Sequence, residues 1–372
     1  MIVKSSVTDD ARVRRGALAV AAMGHQLTVI GDRPGPPDPI PEVEVVFVRD
    51  KTTSAGGVER RGLALFARWL GLPTHRRRDD RAFARRVAAV SAGMTPDLVH
   101  AHDLSGLEAA APFSARHVPI VYDAHECWTG RRLAGRPAPV QRWLDGRSER
   151  RAGTRALRVL TVSPALARWF EERYGWSDVA VVRNSFPEVP PGPTTVRPRC
   201  LLYAGRIDHK RDLRTIAAGA NILGDMELVV RGSGESAEAR ILSAAGARVE
   251  PSIPIDDLTE ELRSCGISVV SLLDDQHNHR VALPNKVFQA VQAGVPVIAA
   301  DLPSLRELVD EHRIGELYTP GDVDSFVAAV NRLRDDFDAT LERVERAKSA
   351  LSWSVDELVL RSVYADLQSQ IP

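Results

Sequence analysis

The stretch ISVVSLLDDQHNHRVALPNKVFQAVQAGVPVIAAD, residues 267–301, decides the architecture. From left to right it is a β-branched strand, a long polar loop, a helix, a glycine stop and a second strand. Pro284 stands where a first-turn proline is favoured, and Gly294 stands just past the last turn. Two apolar β runs separated by a helix form the repeating unit of a parallel sheet. Ligands of such sheets bind beyond the carboxyl ends of the strands, and the helix start at Pro284–Asn285 points to that edge. Its free amides and positive dipole end make a ready anion site. Lys286 lies in that first turn, where a cation costs about 0.3–1 kcal/mol unless an anion compensates it. It is also one of only five lysines, against 44 arginines.

The same alternation extends in both directions. Strand candidates precede it at 2–6, 26–32, 43–49, 97–103, 119–126, 158–163, 179–185, 200–205, 226–232 and 247–252, with helical patterns between most of them. ARVRRGALAVAAMG (11–24) places Val13, Ala17, Val20 and Ala21 on one helical face. The Pro-rich FPEVPPGPTTVRPR (186–199) interrupts the pattern and predicts a linker. From about Asp322 onward the chain reads as helical throughout. The expectation is an α/β protein of two Rossmann-like parallel-sheet domains facing a central cleft. The first spans 1–187, with a C-terminal helix at 354–372 crossing back, and the second spans 198–353.

Of the 372 residues, 49 are basic and 49 acidic, which excludes a chain coated for nucleic acid or another polyanion. The neutrality is a cancellation: residues 1–186 carry a net +9 and residues 187–372 a net −9. Cys127, Cys200 and Cys265 are far apart and read as free thiols in a reducing compartment. The start MIVKSSVTDD has no secretory pattern, and no apolar run approaches a membrane span, so a cytoplasmic protein is expected. Two segments, 60–86 and 131–158, are unusually basic and suggest peripheral contact with a membrane face; the first mixes Phe66, Trp69, Leu70 and Leu72 with nine arginines, a pattern that also suits an anionic or lipid-bearing acceptor.

A second locus follows the linker. In LLYAGRIDHKRDL (201–213) a strand ends in Gly205, and Arg206, Lys210 and Arg211 come within six residues. Two basic clusters beyond strand ends of one domain suit a diphosphate, with arginine as a fork and lysine as a point charge. The dinucleotide fingerprint G-x-G-x-x-G is missing after the first strand, and RGSGES (231–236) is only a weak glycine signal. The pairs His100/His102 and His277/His279 lack the spacing of a zinc site. Asp322-Val323-Asp324 reads as a helix start with acids in the first turn. No metal is required by the site as read.

Taken together and in order, DDARVRRGALAVAAMGHQLTV, DLVHAHD, VYDAHE, VVRNS, YAGRIDHKRDL and LPNKVFQAVQAGVPVIAAD resemble the GT-B glycosyltransferases, most of all glycosyltransferase family 4. That resemblance implies a retaining hexosyltransferase that uses a nucleotide-sugar, a UDP- or GDP-sugar first of all, as a substrate and needs no cofactor. It implies catalytic roles for His125, Arg206 and Lys286. The implied donor site comprises Gly205, Arg206, Lys210, Arg211, Ala282, Leu283, Pro284, Asn285, Lys286 and Gln289. Arg12, His102, Glu126 and Asn184 are the implied acceptor residues, for a small-molecule, lipid-linked or glycan acceptor. The chain departs from the family at its paired glutamates, whose positions fall on Val281 and Gln289. An amide still bonds ribose hydroxyls, whereas a valine side chain makes no polar contact, so sugar recognition passes to backbone amides around Ala282–Asn285 or to other side chains. A non-catalytic nucleotide-sugar-binding subunit and a nucleotide-sugar epimerase are the alternative readings.

Overall fold

The structure is a computed structural model and describes residues 1–7, 10–33, 40–49, 74–131, 139–192 and 198–370. The chain divides into two compact units, Met1–Val182 with Glu357–Pro372, and Arg183–Asp356. The division lies a few residues before the expected linker, and the helix Trp353–Gln368 enters the first unit after its opening turn.

Seven strands build the first sheet: β1 (Ile2–Ser6), β2 (Leu27–Arg33), β3 (Val43–Phe47), β4 (Val99–His102), β5 (Ile120–Ala124), β6 (Arg158–Thr161) and β7 (Val179–Val181). Their spatial order is β3-β2-β1-β4-β5-β6-β7, and every pairing is parallel. The helix Ala11–Ala21 is capped by Asp10, whose carboxylate accepts the Val13 N–H, and it buries Val13, Ala17 and Val20. After β4 the helix Asp103–Ala109 presses onto the sheet at Gly106, where a Cβ would come within 2.7 Å of the Ile2 carbonyl oxygen.

The second sheet holds β8 (Cys200–Ala204), β9 (Glu227–Arg231), β10 (Arg248–Glu250), β11 (Gly266–Val270), β12 (Val297–Ala300) and β13 (Gly315–Tyr318). Its order is β10-β9-β8-β11-β12-β13, again all parallel. β11 and β12 are buried along their whole length, as strands covered on both faces must be. Both sheets have the doubly wound order in which strand direction of growth reverses beside the first strand, between β1 and β4 and between β8 and β11. Such reversals open a crevice at the carboxyl edge.

The structure departs from the sequence reading in three places. β13, in IGELY, was not anticipated, because a short edge strand with a glutamate inside it lacks the β-branched run that marks the others. Pro284 is the N-cap of the helix Asn285–Ala293, in extended conformation, and does not occupy the first turn; Gly294 ends that helix at φ 77° as expected. Cys200 and Cys265 are joined in a disulfide with Cα atoms 4.7 Å apart, so only Cys127 is a free thiol. Their 65-residue separation hid a pairing that the sheet creates by setting Cys200 beside Gly266.

Candidate functional site

In the second unit the basic residues gather at the carboxyl edge around the β8–β11 reversal. Gly205 follows β8 at φ 150°, and a Cβ there would fall 2.3 Å from Lys286 Nζ. The position therefore needs glycine for its backbone and for the lysine it admits. Lys286 Nζ lies 5.2 Å from the centre of the Tyr203 ring, and the Tyr203 hydroxyl donates to the Arg206 carbonyl at 2.8 Å, fixing the turn. Burial, then the Arg211 charge, lowers the Lys286 pKa to about 7, with Asp208 opposing only in part.

Asp208 is the acid at the centre of this turn. It stands 3.3 Å from Arg206 Nε and 3.8 Å from Arg211 Nε, and it accepts the Lys210 N–H at 3.1 Å. Arg206 remains 74% exposed, and the buried Arg211 Nε has no hydrogen-bond partner among the described residues. One carboxylate faces three guanidinium and ammonium heads and a fourth basic residue, so the cluster carries an unneutralised positive charge, the condition for holding a diphosphate.

The loop after β9 supports this turn. Glycines 232 and 234 allow it to lie against the β8 loop, where added Cβ atoms would sit 1.8 Å from the Gly205 oxygen and 1.9 Å from the Ile207 oxygen. The weak G-x-G signal is thus a close backbone approach. Ala282 is half-buried, Leu283 is buried in the core, and Asn285 and Gln289 are half-buried on the two turns of the same helix. The Val281 side chain is buried. His279 is also buried, with Nδ1 on the Leu273 carbonyl at 2.7 Å. Asp322 caps the helix Val323–Asp335 by accepting the Ser325 N–H, as its sequence context implied.

The first unit has a different centre at its own reversal. Asp123, on β5, accepts from Arg12 Nε at 3.0 Å and Arg12 Nη2 at 2.6 Å. Arg12 Nη1 donates to the Val182 carbonyl at 2.5 Å. Three imidazoles face the same carboxylate: His100 Nε2 at 3.6 Å, His102 Nδ1 at 3.4 Å and His125 Nε2 at 3.4 Å from Oδ2. His102 Nδ1 and His125 Nε2 are 3.1 Å apart, and His100 Nδ1 meets the Tyr364 hydroxyl at 2.8 Å. Burial alone would raise the Asp123 pKa; Arg12 and then His125 hold it well below the usual carboxylate range. Burial and the neighbouring His100 push His102 well below 6.5, leaving it neutral. His125 behaves oppositely: burial lowers it, but Asp103 and Asp123 outweigh burial and raise it to about 9.

Donor atoms of His100, His102 and Asp123 lie within 4.8 Å of one another, a spacing that could serve a cation. The Arg12 guanidinium already engages both Asp123 oxygens and supplies the compensating charge. Of the expected acceptor residues, Arg12 and His102 are 4% and 1% exposed and engage Asp123 and its neighbours. Asn184 lies in the second unit, not the first. Glu126 is half-buried and ion-paired to Arg131 at 2.9 Å. The sequence reading missed Asp103, Asp208 and the centring role of Asp123. Asp123 and Asp103 stand inside the motifs already quoted, 111 and 22 residues from the partners they meet, which concealed what they do, whereas Asp208 lies within three residues of its partners and was passed over among the basic residues around it.

Two parallel α/β units of this strand order are the architecture of the GT-B class of glycosyltransferases. The profile of Glycosyltransferase Family 4 matches residues 12–187, and that of Glycosyl transferases group 1 matches residues 198–336. The chain belongs to the family-4-like GT-B glycosyltransferases. Glycogen synthase of Mycobacterium tuberculosis is 26% identical over 282 residues, covering 70% of this chain and 66% of that protein, just under two thirds of its length. Among solved structures, sucrose-phosphate synthase from Thermosynechococcus elongatus superposes with a TM-score of 0.75 at 17% identity, covering 99% of this chain and 98% of the other. The Anabaena protein HepE in complex with UDP-glucose gives 0.70 at 16% identity, covering 98% of each chain. WaaG, a glycosyltransferase involved in lipopolysaccharide biosynthesis, gives 0.65 at 14%, covering 96% of each.

Proposed function

We propose that this glycosyltransferase moves a sugar, with retention, from a nucleoside-diphosphate donor, UDP- or GDP-linked, to a hydroxyl or other nucleophile of an acceptor. The observation that carries the reading is the net positive cluster of Arg206, Arg211 and Lys286 around the carboxylate of Asp208, with Lys210 in the same turn. The HepE complex, whose ligand is UDP-glucose, favours UDP as the first donor to test.

In this reading Arg206, Arg211 and Lys286 stabilise charge on the departing diphosphate, together with the amides that open the helix Asn285–Ala293. Gln289 takes the ribose, and the backbone at Ala282–Asn285 takes the sugar in place of the missing first glutamate. The acceptor attacks from the face that the diphosphate leaves, and the leaving group receives its proton. Such a path asks for fixed charge and an oriented acceptor more than for a dedicated acid–base pair. The four basic residues would carry the charge that a divalent metal supplies elsewhere. His125 serves the transfer step and Glu126 serves the acceptor in this reading.

No helix among the described residues is long and apolar enough to cross a membrane. Peripheral contact from a cytoplasmic location fits the helix Pro139–Gly153, which buries Asp145 and Glu149 and leaves Trp143 and Arg147 outward. Residues 60–73 and 132–138 of the two Arg-rich segments lie outside the described residues.

The test is a thermal-shift screen of UDP, GDP, dTDP and ADP and their sugars. A ligand at 100 times its dissociation constant stabilises by about 2.7 kcal/mol, a visible shift of the midpoint. If none moves the transition, the donor assignment fails. With a donor in hand, NMR of the product anomer settles retention, and product formation from donor alone would point to the epimerase reading.

A further inference from the structure

Asp103 is the first residue beyond β4, and its backbone takes φ 56°, a left-handed conformation that few side chains other than Asn and Asp adopt readily. The turn swings its carboxylate across to the end of the neighbouring strand. There Oδ1 accepts the His125 backbone N–H at 3.0 Å, one position past Ala124, where β5 ends. Oδ2 lies 3.7 Å from His125 Nδ1. On its other side the ring is held by neutral His102 at 3.1 Å and by Asp123 at 3.4 Å. The groups facing the imidazole are therefore Asp103, Asp123 and His102, with Arg12 behind Asp123 and the Glu126–Arg131 pair beside Asp103.

We propose that Asp103 is the positioning residue of His125: one carboxylate oxygen holds the His125 backbone N–H and the other faces Nδ1, so that Asp103 and Asp123 flank the ring with negative charge and hold it protonated and in one orientation for sugar transfer. The inference rests on the reading that His125 works in the transfer, and it adds the charge state of the ring. His102 Nδ1 lies 3.1 Å from Nε2 on the opposite side, so both ring nitrogens face a protein partner.

Asp103→Asn separates charge from shape, because asparagine tolerates the same backbone and its amide oxygen still accepts the His125 N–H. The His125 ring titration is followed by NMR in the protein without any substrate, and transfer is assayed at pH 6 and pH 8. Losing one of two flanking carboxylates drops the midpoint from about 9 to roughly 7.5. The charged fraction at pH 8 then falls from about nine-tenths to about one quarter, so transfer slows roughly fourfold at pH 8 and stays near the unsubstituted rate at pH 6. Asp103→Glu, which keeps the charge, restores much of the pH 8 rate. An unmoved ring titration in Asp103→Asn overturns the proposal. A moved titration with unchanged transfer at pH 8 instead sinks the role of His125 in transfer.

Discussion

The two sheet reversals of this molecule carry opposite electrostatic designs. In the first unit Asp123 is surrounded by Arg12 and three imidazoles, every group is buried or nearly so, and the charges close on one another. In the second, Asp208 is outnumbered, Arg206 is open to solvent and Lys286 is held in a place that disfavours its charge. The first centre balances its own charges; the second keeps an excess of positive charge. One fold thus provides a rigid set of paired charges on one sheet and a charge deficit on the other.

Removing a member of the closed centre should harm folding before anything else. Arg12→Ala leaves Asp123 buried without its fork and should cost about 3–5 kcal/mol, read as a lower urea midpoint. A loss under about 1 kcal/mol would contradict the pairing that defines this centre. Removing a member of the open centre should do the reverse. Lys286→Ala or Arg206→Ala should keep the urea midpoint within about 0.5 kcal/mol, or raise it for Lys286, while slowing transfer by roughly 10²–10³, about 2.7–4 kcal/mol. Equal losses of stability and rate in both sets would erase the distinction.

The smallest effect concerns protons. Lys286 titrates near 7 in the folded chain, below its ordinary 10.5, so the unfolded chain binds the extra proton between those values. Stability from this group therefore rises with pH across that window, and its cost is fully present below about pH 7. A bound diphosphate restores the charged form. UDP binding at pH 8 should thus take up close to one proton, seen as different calorimetric enthalpies in Tris and HEPES, and should weaken as pH rises further. Binding without proton uptake would mean that Lys286 does not meet the phosphates.

What was legible in the sequence follows from range. Strand–helix alternation is local, so twelve of the strands could be placed, whereas GELY carries too little β-branched character to announce β13. The basic donor residues were legible because the glycine, arginines and lysines of each cluster lie within a few positions. The first centre was not, because Arg12 and Asp123 are 111 residues apart and meet only after the sheet has ordered its strands.

The disulfide Cys200–Cys265 ties the beginnings of β8 and β11, at the sheet edge away from the basic cluster. A cross-link that closes 65 residues acts mainly on the unfolded chain, by roughly 2–4 kcal/mol, and leaves the folded site where it is. In a thiol-rich compartment the same pair would stand as neighbouring thiols. Resistance to heat and proteolysis would then record the redox history of a given molecule, while its grip on the donor would not.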